Sequence, residues 1–518
     1  MMKKIVLFIL SVFLLSCTEY LEEDLLTNPS LNGLSNEEDV KAALTGAYAG
    51  LLGSSNPGYY GRNYLYLREV PTDNLVGSGS QKEIDDFIFG NSDATIVNTY
   101  NDIYAMILRA NLIIENIEDV QIEQSLLKWY KSQAQFLLAL GYYDLTSLFG
   151  DVVLITSTVN DISAKPLRTA QADVENYIFE LLDAAIPYLE KDESEQLPGT
   201  ATLGAALTLK MKLHLRRKEW TKVNEIADLI IGLGKYSLLP NVEDLYKIGN
   251  SFNDEIIFSV KTTGDPLGKS LGAIAAGSTD IAQHQYDKLQ NFGFGTFKGE
   301  LWVYYSYDPS DERFIKLFRH SYLDQDGNEW GPQSEKPNGK GFQSSGKGFY
   351  KYQPFVYSEK YPHPLADTGT DLRSDIYHGN TLFVSRYAEV LLAKAEALNE
   401  ISGPSAEVFN LINEVRDRAN LPNLETTGSF DQASLKDAIF QERQWEFFME
   451  GYRREDLIRQ GQDAQGNNVF IEKIKYSHAK SRQNNNAELI DVKECNKLYP
   501  IPEIERSLNT NITQNDCY

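Results

Sequence analysis

The chain has 518 residues and carries 49 Lys and Arg against 73 Asp and Glu, a formal net charge of −24 at pH 7. A field of that sign repels nucleic acid, and no basic stripe in the sequence offsets it. Hydrophobic residues at 42% and charged ones at 24% match a folded soluble protein and exclude a disordered or fibrous chain, and the length allows two or three domains or one large one.

Lys3 and Lys4 precede an apolar run from Ile5 to Leu15, too short for a spanning helix of about 20 residues and organised as a signal peptide. Leu14-Leu15-Ser16-Cys17 follows and resembles the lipobox of bacterial lipoproteins. Residues 1–16 are then expected to be removed and Cys17 to carry the acyl chains, which anchor stably because there is more than one. An ordinary secretory signal with a chance cysteine is the alternative. The acidic segment Thr18-Glu-Tyr-Leu-Glu-Glu-Asp24 resembles the surface-export signal of Bacteroidetes-type lipoproteins. No later stretch has the length of a transmembrane helix, so a soluble body tethered outside the cytoplasm is expected. Cys495 and Cys517 either pair in that oxidising compartment or stay as two free thiols.

Helical periodicity begins at Ser125, where Leu126, Tyr130, Ala134, Leu137, Leu138, Tyr142 and Leu145 keep an i, i+3/i+4 spacing up to Phe149, with Gly150 placed to end the helix. A second helix runs from Ala172 to Pro187, and two more, 202–217 and 220–232, are joined by a short polar link that favours antiparallel neighbours. These pairs are similar to tetratricopeptide repeats, without a strict period. A second helical block comprises 385–399, 406–419 and 435–452. Between the blocks, about 238–382, Gly, Pro, Ser, Asn and aromatic residues dominate, and function tends to sit in such loops on a rigid scaffold.

The short motifs carry little chemistry. Gly341-Phe-Gln-Ser-Ser-Gly346-Lys347 has phosphate-loop spacing, but Gly348 stands where Ser or Thr must reach Mg²⁺; it reads as a basic loop. Gly293 to Gly299 misses the dinucleotide-binding spacing by one residue. Asp324-Gln-Asp326-Gly327-Asn328-Glu329 has its Gly at the wrong place for a calcium loop, and a β-hairpin turn between Tyr322 and Trp330 is favoured. The six histidines show no local zinc spacing. Glu442, Glu446 and Glu450, with Arg443, Arg453 and Arg454 nearby, read as a structural ion-pair network, because arginines keep carboxylates ionised. No nucleophile elbow, catalytic carboxylate pair, metal set or cofactor motif stands out, so no enzyme is expected.

The aromatics remain, with 30 Tyr and 24 Phe beside 5 Trp. Tyr59, Tyr60, Tyr64, Tyr66, Trp302, Tyr304, Tyr305, Tyr307, Trp330, Phe349, Tyr350 and Tyr352 lie in or beside Gly-rich stretches, where rings can stack on sugars while polar neighbours bond the hydroxyls. Packing is the competing role for each, and Trp302 and Tyr305 at i, i+3 suit one face of a short helix. Trp330 and Tyr350, in the most polar surroundings, are the preferred ligand contacts.

Together these segments resemble the SusD/RagB family of outer-membrane nutrient-binding lipoproteins. The run from Ser132 to Asp151 resembles the family's "AxALFLRAxxYFDLVRLFGDVP" helix, with Val153 in place of Pro. Pro166-Leu-Arg168, Tyr236-Ser-Leu-Leu-Pro240, Asn253 to Phe258, Arg386 to Glu400, Ile412 to Ala419, Gln441 to Glu446, Gly451 to Leu457 and Leu498-Tyr-Pro-Ile-Pro502 keep the family's order. Thr513-Gln-Asn515 resembles its terminal "TQNPGY", with Cys517 at the Gly.

The resemblance implies a mainly α fold: a scaffold of four tetratricopeptide-like helix pairs (about 34–237 and 383–460) within a single domain, 17–518, and a loop-rich, partly β ligand-facing region (about 238–382). It implies a non-enzymatic, extracellular-facing, lipid-anchored outer-membrane protein that binds an oligosaccharide and delivers it to a SusC-type TonB-dependent transporter. A peptide ligand, or a structural lid with little affinity of its own, are the alternatives. Asp73 and Asn74, in a Pro-Thr-Asp-Asn segment resembling a ligand-side loop, join Trp330 and Tyr350 as candidate contacts. Lys336, Lys340, Lys347 and Lys351 around the Gly-rich loop are either a hint of an acidic ligand or a solubilising feature.

Overall fold

The computed structural model describes residues 34–261 and 298–518, apart from 54–57, 78–80, 159–164, 191–196, 248, 321, 324–328, 331–341, 345–347, 351–354, 359–380 and 482–489; between 262 and 297 it describes 284–287 and 290–292. The leader, Cys17 and the four loop lysines lie outside the described residues.

The helices of eight or more residues are α1 Glu37–Ala49, α2 Ala94–Asn116, α3 Gln124–Phe149, α4 Gln171–Ala185, α5 Leu203–Arg216, α6 Trp220–Gly232, α7 Tyr387–Ser402, α8 Ala406–Arg418, α9 Gln432–Glu446, α10 Arg453–Gln460 and α11 Val469–Ser481. Their starts are written locally. Asn36, Asp93, Glu123, Thr202 and Ser405 each accept a first-turn N–H through the side chain, and Asp431 with Ser434 forms a capping box on α9. Helix α3 ends where expected, at Gly150 with φ +71°, a left-handed position that suits glycine. No helix among the described residues is long and apolar enough to cross a membrane.

Neighbours in sequence are neighbours in space. Helix α2 packs on α3, α3 on α4, α5 on α6 and α7 on α8, and α7 also lies against α6 and α9, giving the helix-pair scaffold expected from the sequence. Helix α3 is buried without a break from Phe136 to Phe149, as an all-round apolar helix must be. Helix α5 has two buried faces. Ala205, Ala206, Leu209 and Leu213 belong to the core built by α1 to α4, while Leu207, Met211 and Leu215 belong to a second core with α6 to α9.

Two helix boundaries differ from expectation, for the same reason: side chains and strands capture the backbone first. The helix expected from Ser385 begins at Tyr387, because Ser385 and Arg386 pair with Phe258 and Ile256 in an antiparallel ladder. The helix expected over 435–452 is broken. Arg386 Nη2 takes the Glu446 carbonyl at 2.9 Å, Glu69 takes the Gly451 N–H at 2.8 Å, and α10 restarts after left-handed Met449 and Gly451. Helices α1, α2, α10 and α11 add to those expected.

The loop-rich region leaves the scaffold along strand Ile256–Lys261 and returns along its antiparallel partner Thr381–Arg386. Its described strands are short. A four-stranded antiparallel sheet has the order Leu75–Val76, Lys298–Glu300, Phe355–Ser358, Phe318–Arg319. Tyr322–Leu323 pairs with Glu329–Trp330, the hairpin expected there. Phe342–Ser344 pairs with Gly348–Tyr350, so a strand occupies part of the phosphate-loop-like stretch and another strand, where a phosphate loop needs a helix, follows it directly. The C-terminal segment packs back on the scaffold: Tyr499 donates its N–H to Leu148 O and its hydroxyl to Leu67 O, and Cys495 and Cys517 form a disulfide.

Candidate functional site

The Pro71-Thr-Asp-Asn74 segment leads into the edge strand Leu75–Val76 of the four-stranded sheet, and its polar groups are spent inside the protein. Asp73 is 0% exposed and forms a two-point ion pair with Arg453, Nε to Oδ1 at 2.7 Å and Nη2 to Oδ2 at 2.8 Å. Asn74, 1% exposed, donates to Glu69 Oε2 at 3.0 Å and accepts from Gln444 Nε2 at 2.8 Å. A carboxylate withdrawn from water needs such a partner. Asp73 and Asn74 therefore present no surface to a ligand, which corrects the expectation that they contact one. Burial pushes the Glu69 carboxyl up to about 7, against the bonds from Asn74 and the Gly451 N–H that lower it.

This buried node holds an aromatic platform above it. The Asn74 carbonyl accepts the Glu300 N–H at 2.9 Å, next to the Leu75–Gly299 pairing. Strand Lys298–Glu300 then runs into a one-turn helix, Leu301–Tyr304, which packs on α11. Trp302 Nε1 donates to Ser477 Oγ at 3.1 Å, and Ser477 Oγ donates to the Asp73 carbonyl at 3.4 Å. The Trp302 ring meets Tyr476 edge-on with centroids 5.7 Å apart, and Tyr304 meets Tyr305 likewise at 5.2 Å. Tyr304 is anchored below through its hydroxyl to His320 Nδ1 at 2.7 Å. In each pair one ring is held and the other faces outward: Tyr305 is 54% and Tyr476 49% exposed. In the strand that leads into this turn, burial lowers the Lys298 ammonium to about 8. Rings fixed edge-to-face present apolar faces at little conformational cost, with their hydroxyls at the edge for polar groups.

Trp330 and Tyr350 sit in separate hairpins, opposite Tyr322 and Phe342; their side chains lie outside the described residues, and no described contact brings them to Asp73 or Asn74. The four tyrosines between residues 59 and 66 take the packing role. Tyr59, Tyr60, Tyr64 and Tyr66 are at most 6% exposed and belong to the first core. Trp302 and Tyr305 do share a helical turn, and Tyr305 faces solvent rather than the core. Tyr476 was not among the expected contacts; its signal is an exposed tyrosine beside the buried Ile474 and Ser477 of α11.

Glu442 and Glu446 of α9, with Glu450 in the turn that follows it, form the expected structural network, with different arginines. Glu442 pairs with Arg313 at 2.7 Å and Arg416 at 2.9 Å. Glu446 pairs with Arg386 at 2.5 Å, Arg313 at 3.0 Å and Arg418, and Glu450 pairs with Arg386 at 2.7 Å. Of the arginines named from the sequence, Arg443 binds Asp456, Arg453 binds Asp73 and Arg454 donates to the carbonyls of Ser147 and Lys497. The network clamps Asp311–Arg313, just after the platform, to the helical scaffold. No cluster of metal-ligating side chains occurs among the described residues.

Comparison with known proteins places this geometry in a wider setting. A family model described as "SusD family" matches residues 295–518, and one described as "Starch-binding associating with outer membrane" matches residues 21–215. SusD-like protein P25 of Formosa agariphila is 26% identical over 491 residues, covering 89% of this chain and 90% of that protein. A SusD homolog from Bacteroides thetaiotaomicron superimposes with a TM-score of 0.77 at 22% identity, covering 94% of this chain and 98% of its own. Surface glycan-binding protein A from the same organism, solved in complex with laminarihexaose, superimposes with a TM-score of 0.72 at 19% identity, covering 93% and 100%.

Proposed function

The chain belongs to the SusD/RagB family, and from that premise we propose that it is a surface-exposed outer-membrane lipoprotein that binds an oligosaccharide and delivers it to a SusC-type TonB-dependent transporter. The observation that carries the binding role is the pair of outward rings, Tyr305 and Tyr476, fixed by Tyr304 and Trp302 over a buried ion pair. Sugar rings stack on such faces, and the tyrosine hydroxyls at their edges bond sugar hydroxyls. Asp73 and Asn74 act as positioning residues, and Trp330 and Tyr350 extend the contact from their hairpins. Cys17 carries the lipid. The role is capture without turnover, which the glycan-bound relative of the same fold supports.

Calorimetric titration of the unacylated mature chain with laminarihexaose and a panel of other neutral and acidic oligosaccharides tests this reading. One glycan class is expected to bind, and Tyr305→Ala to weaken it about tenfold, equivalent to about 1.4 kcal/mol. Binding that is unchanged in Tyr305→Ala places the ligand elsewhere; heat from peptides alone, or from nothing, overturns the carbohydrate role.

A further inference from the structure

Asp73 holds the platform from one end of a short segment, and a second buried carboxylate stands at the other end. Asp85 closes the one-turn helix Lys82–Asp85 and is 1% exposed. Its Oδ2 accepts the Gly77 N–H at 2.9 Å, and its Oδ1 lies 3.1 Å from Nε2 of His478, itself 5% exposed. A carboxylate withdrawn this far from water needs donors and a positive partner in place, and these two come from different elements.

Those elements carry the two halves of the platform. Gly77 follows Val76, which pairs with Lys298 in the strand that runs into Trp302 and Tyr305. His478 lies on α11, directly after Tyr476 and Ser477. Successive helical residues are turned by about 100°, so Tyr476 faces outward while Ser477 and His478 are buried. Ser477 is fixed by Trp302 Nε1 and the Asp73 carbonyl. One anchor leaves a helix able to roll about its axis; a second at a different angle stops the roll, and Asp85 supplies it. The approach at Gly77 leaves no room for a side chain. A Cβ there would stand 2.5 Å from Asp85 Cβ and 2.7 Å from Gln81 O, so the backbone comes this close to Asp85 as glycine.

We propose that Asp85 is a positioning residue of the ligand platform: by binding Gly77 and His478 together it sets the angle of Tyr476 against Trp302 and the separation of the Tyr305 and Tyr476 rings. The assignment rests on that platform being the ligand site. Rings fixed before the ligand arrives lower the ordering cost of binding, so affinity depends on a side chain that the ligand does not touch.

The test uses the mature chain labelled with 5-fluorotryptophan. Of the 5 tryptophan signals, that of Trp302 is assigned with Trp302→Phe, and it reports the Tyr476 ring set edge-on against it. Three variants are compared: Asp85→Ala, His478→Gln, and Gly77→Ala, which displaces Asp85 without removing a charge. Each is expected to shift or broaden the Trp302 signal while leaving those of Trp129 and Trp220 in the scaffold, assigned in the same way, and the far-ultraviolet spectrum unchanged. In titrations with the tightest-binding glycan of the panel, each is expected to weaken binding about fivefold, and to add nothing to the loss caused by Tyr476→Ala when the two are combined. A Trp302 signal that is unmoved in all three variants overturns the proposal whether or not a glycan binds. An undiminished further loss in the Tyr476→Ala background overturns it as well, because Asp85 would then act on stability and not through that ring. Trp302 shifts in a chain that binds no glycan would keep the positioning and overturn the ligand reading on which it rests.

Discussion

At the scale of single residues, the chain concentrates its ionic chemistry where water is excluded. Arg313, Arg386, Arg443, Arg453 and Arg454 are among its most fully buried side chains, and all but Arg454 are paired with carboxylates. Removing one partner of such a pair leaves the other buried and unpaired. Glu69 is the carboxyl whose proton reports on this interior. Burial raises it to about 7 from an ordinary value of 4.5, so across that window the folded chain holds a proton that the unfolded chain has released. Stability attached to Glu69 is therefore full below 4.5, falls as the pH rises, and is lost above about 7, a change of roughly 3 kcal/mol. Glu69→Gln, uncharged at every pH, is expected to remove that slope: urea unfolding from pH 4.5 to 8 should show the variant gaining on the parent by about this amount. Parallel stability curves would contradict the assignment. The Pro-Thr-Asp-Asn segment that supplies Asp73 and Asn74 to this network stands out in the sequence, but its burial does not, because an irregular segment has no periodicity to show which face is inside.

At the scale of elements, the sequence is most informative where a helix keeps its period to a capped end. Helices α3 and α6 fall within a residue of expectation. Expectation fails at Arg386 and between Glu446 and Arg453, where long-range partners take the backbone groups a continued helix would use; no local pattern announces a partner that lies 60 residues away. Helix α5 illustrates the opposite case. Its apolar residues on both sides mark it as doubly buried, and the structure makes it the wall between two cores. Met211, 0% exposed, packs on the side of α6 and α7, so Met211→Ala is expected to destabilise the protein by about 2–5 kcal/mol, read as a lower denaturant midpoint. A loss under about 1 kcal/mol would mean that the second core closes around the gap.

At the scale of the whole molecule, a helical scaffold grips a loop-rich excursion at two places, the Ile256–Lys261 and Thr381–Arg386 ladder and the α9 glutamates that hold Arg313 and Arg386. The scaffold was legible because its motifs are contiguous and ordered. The site was legible only in kind. Aromatics in a Gly-rich stretch point to stacking, yet the strand that supports the platform pairs residues 75–76 with 298–299, and strands of two and three residues separated by more than 200 positions leave no periodic trace. Trp302 and Tyr305 were visible as a pair; that one ring is anchored and the other faces outward follows from Ser477 and Tyr304, neither of which the spacing reveals. The open question of Cys495 and Cys517 was likewise one of separation in space, and the fold answers it with Cα atoms 6.0 Å apart. The central claim, that an oligosaccharide stacks on the platform held by the buried Asp73–Arg453 pair, is tested most directly by a crystal structure of the mature chain with the tightest-binding glycan of the panel. The account predicts a sugar ring against Tyr305 or Tyr476, with the Asp73–Arg453 pair intact and out of contact with it. A glycan bound away from both tyrosines would contradict it.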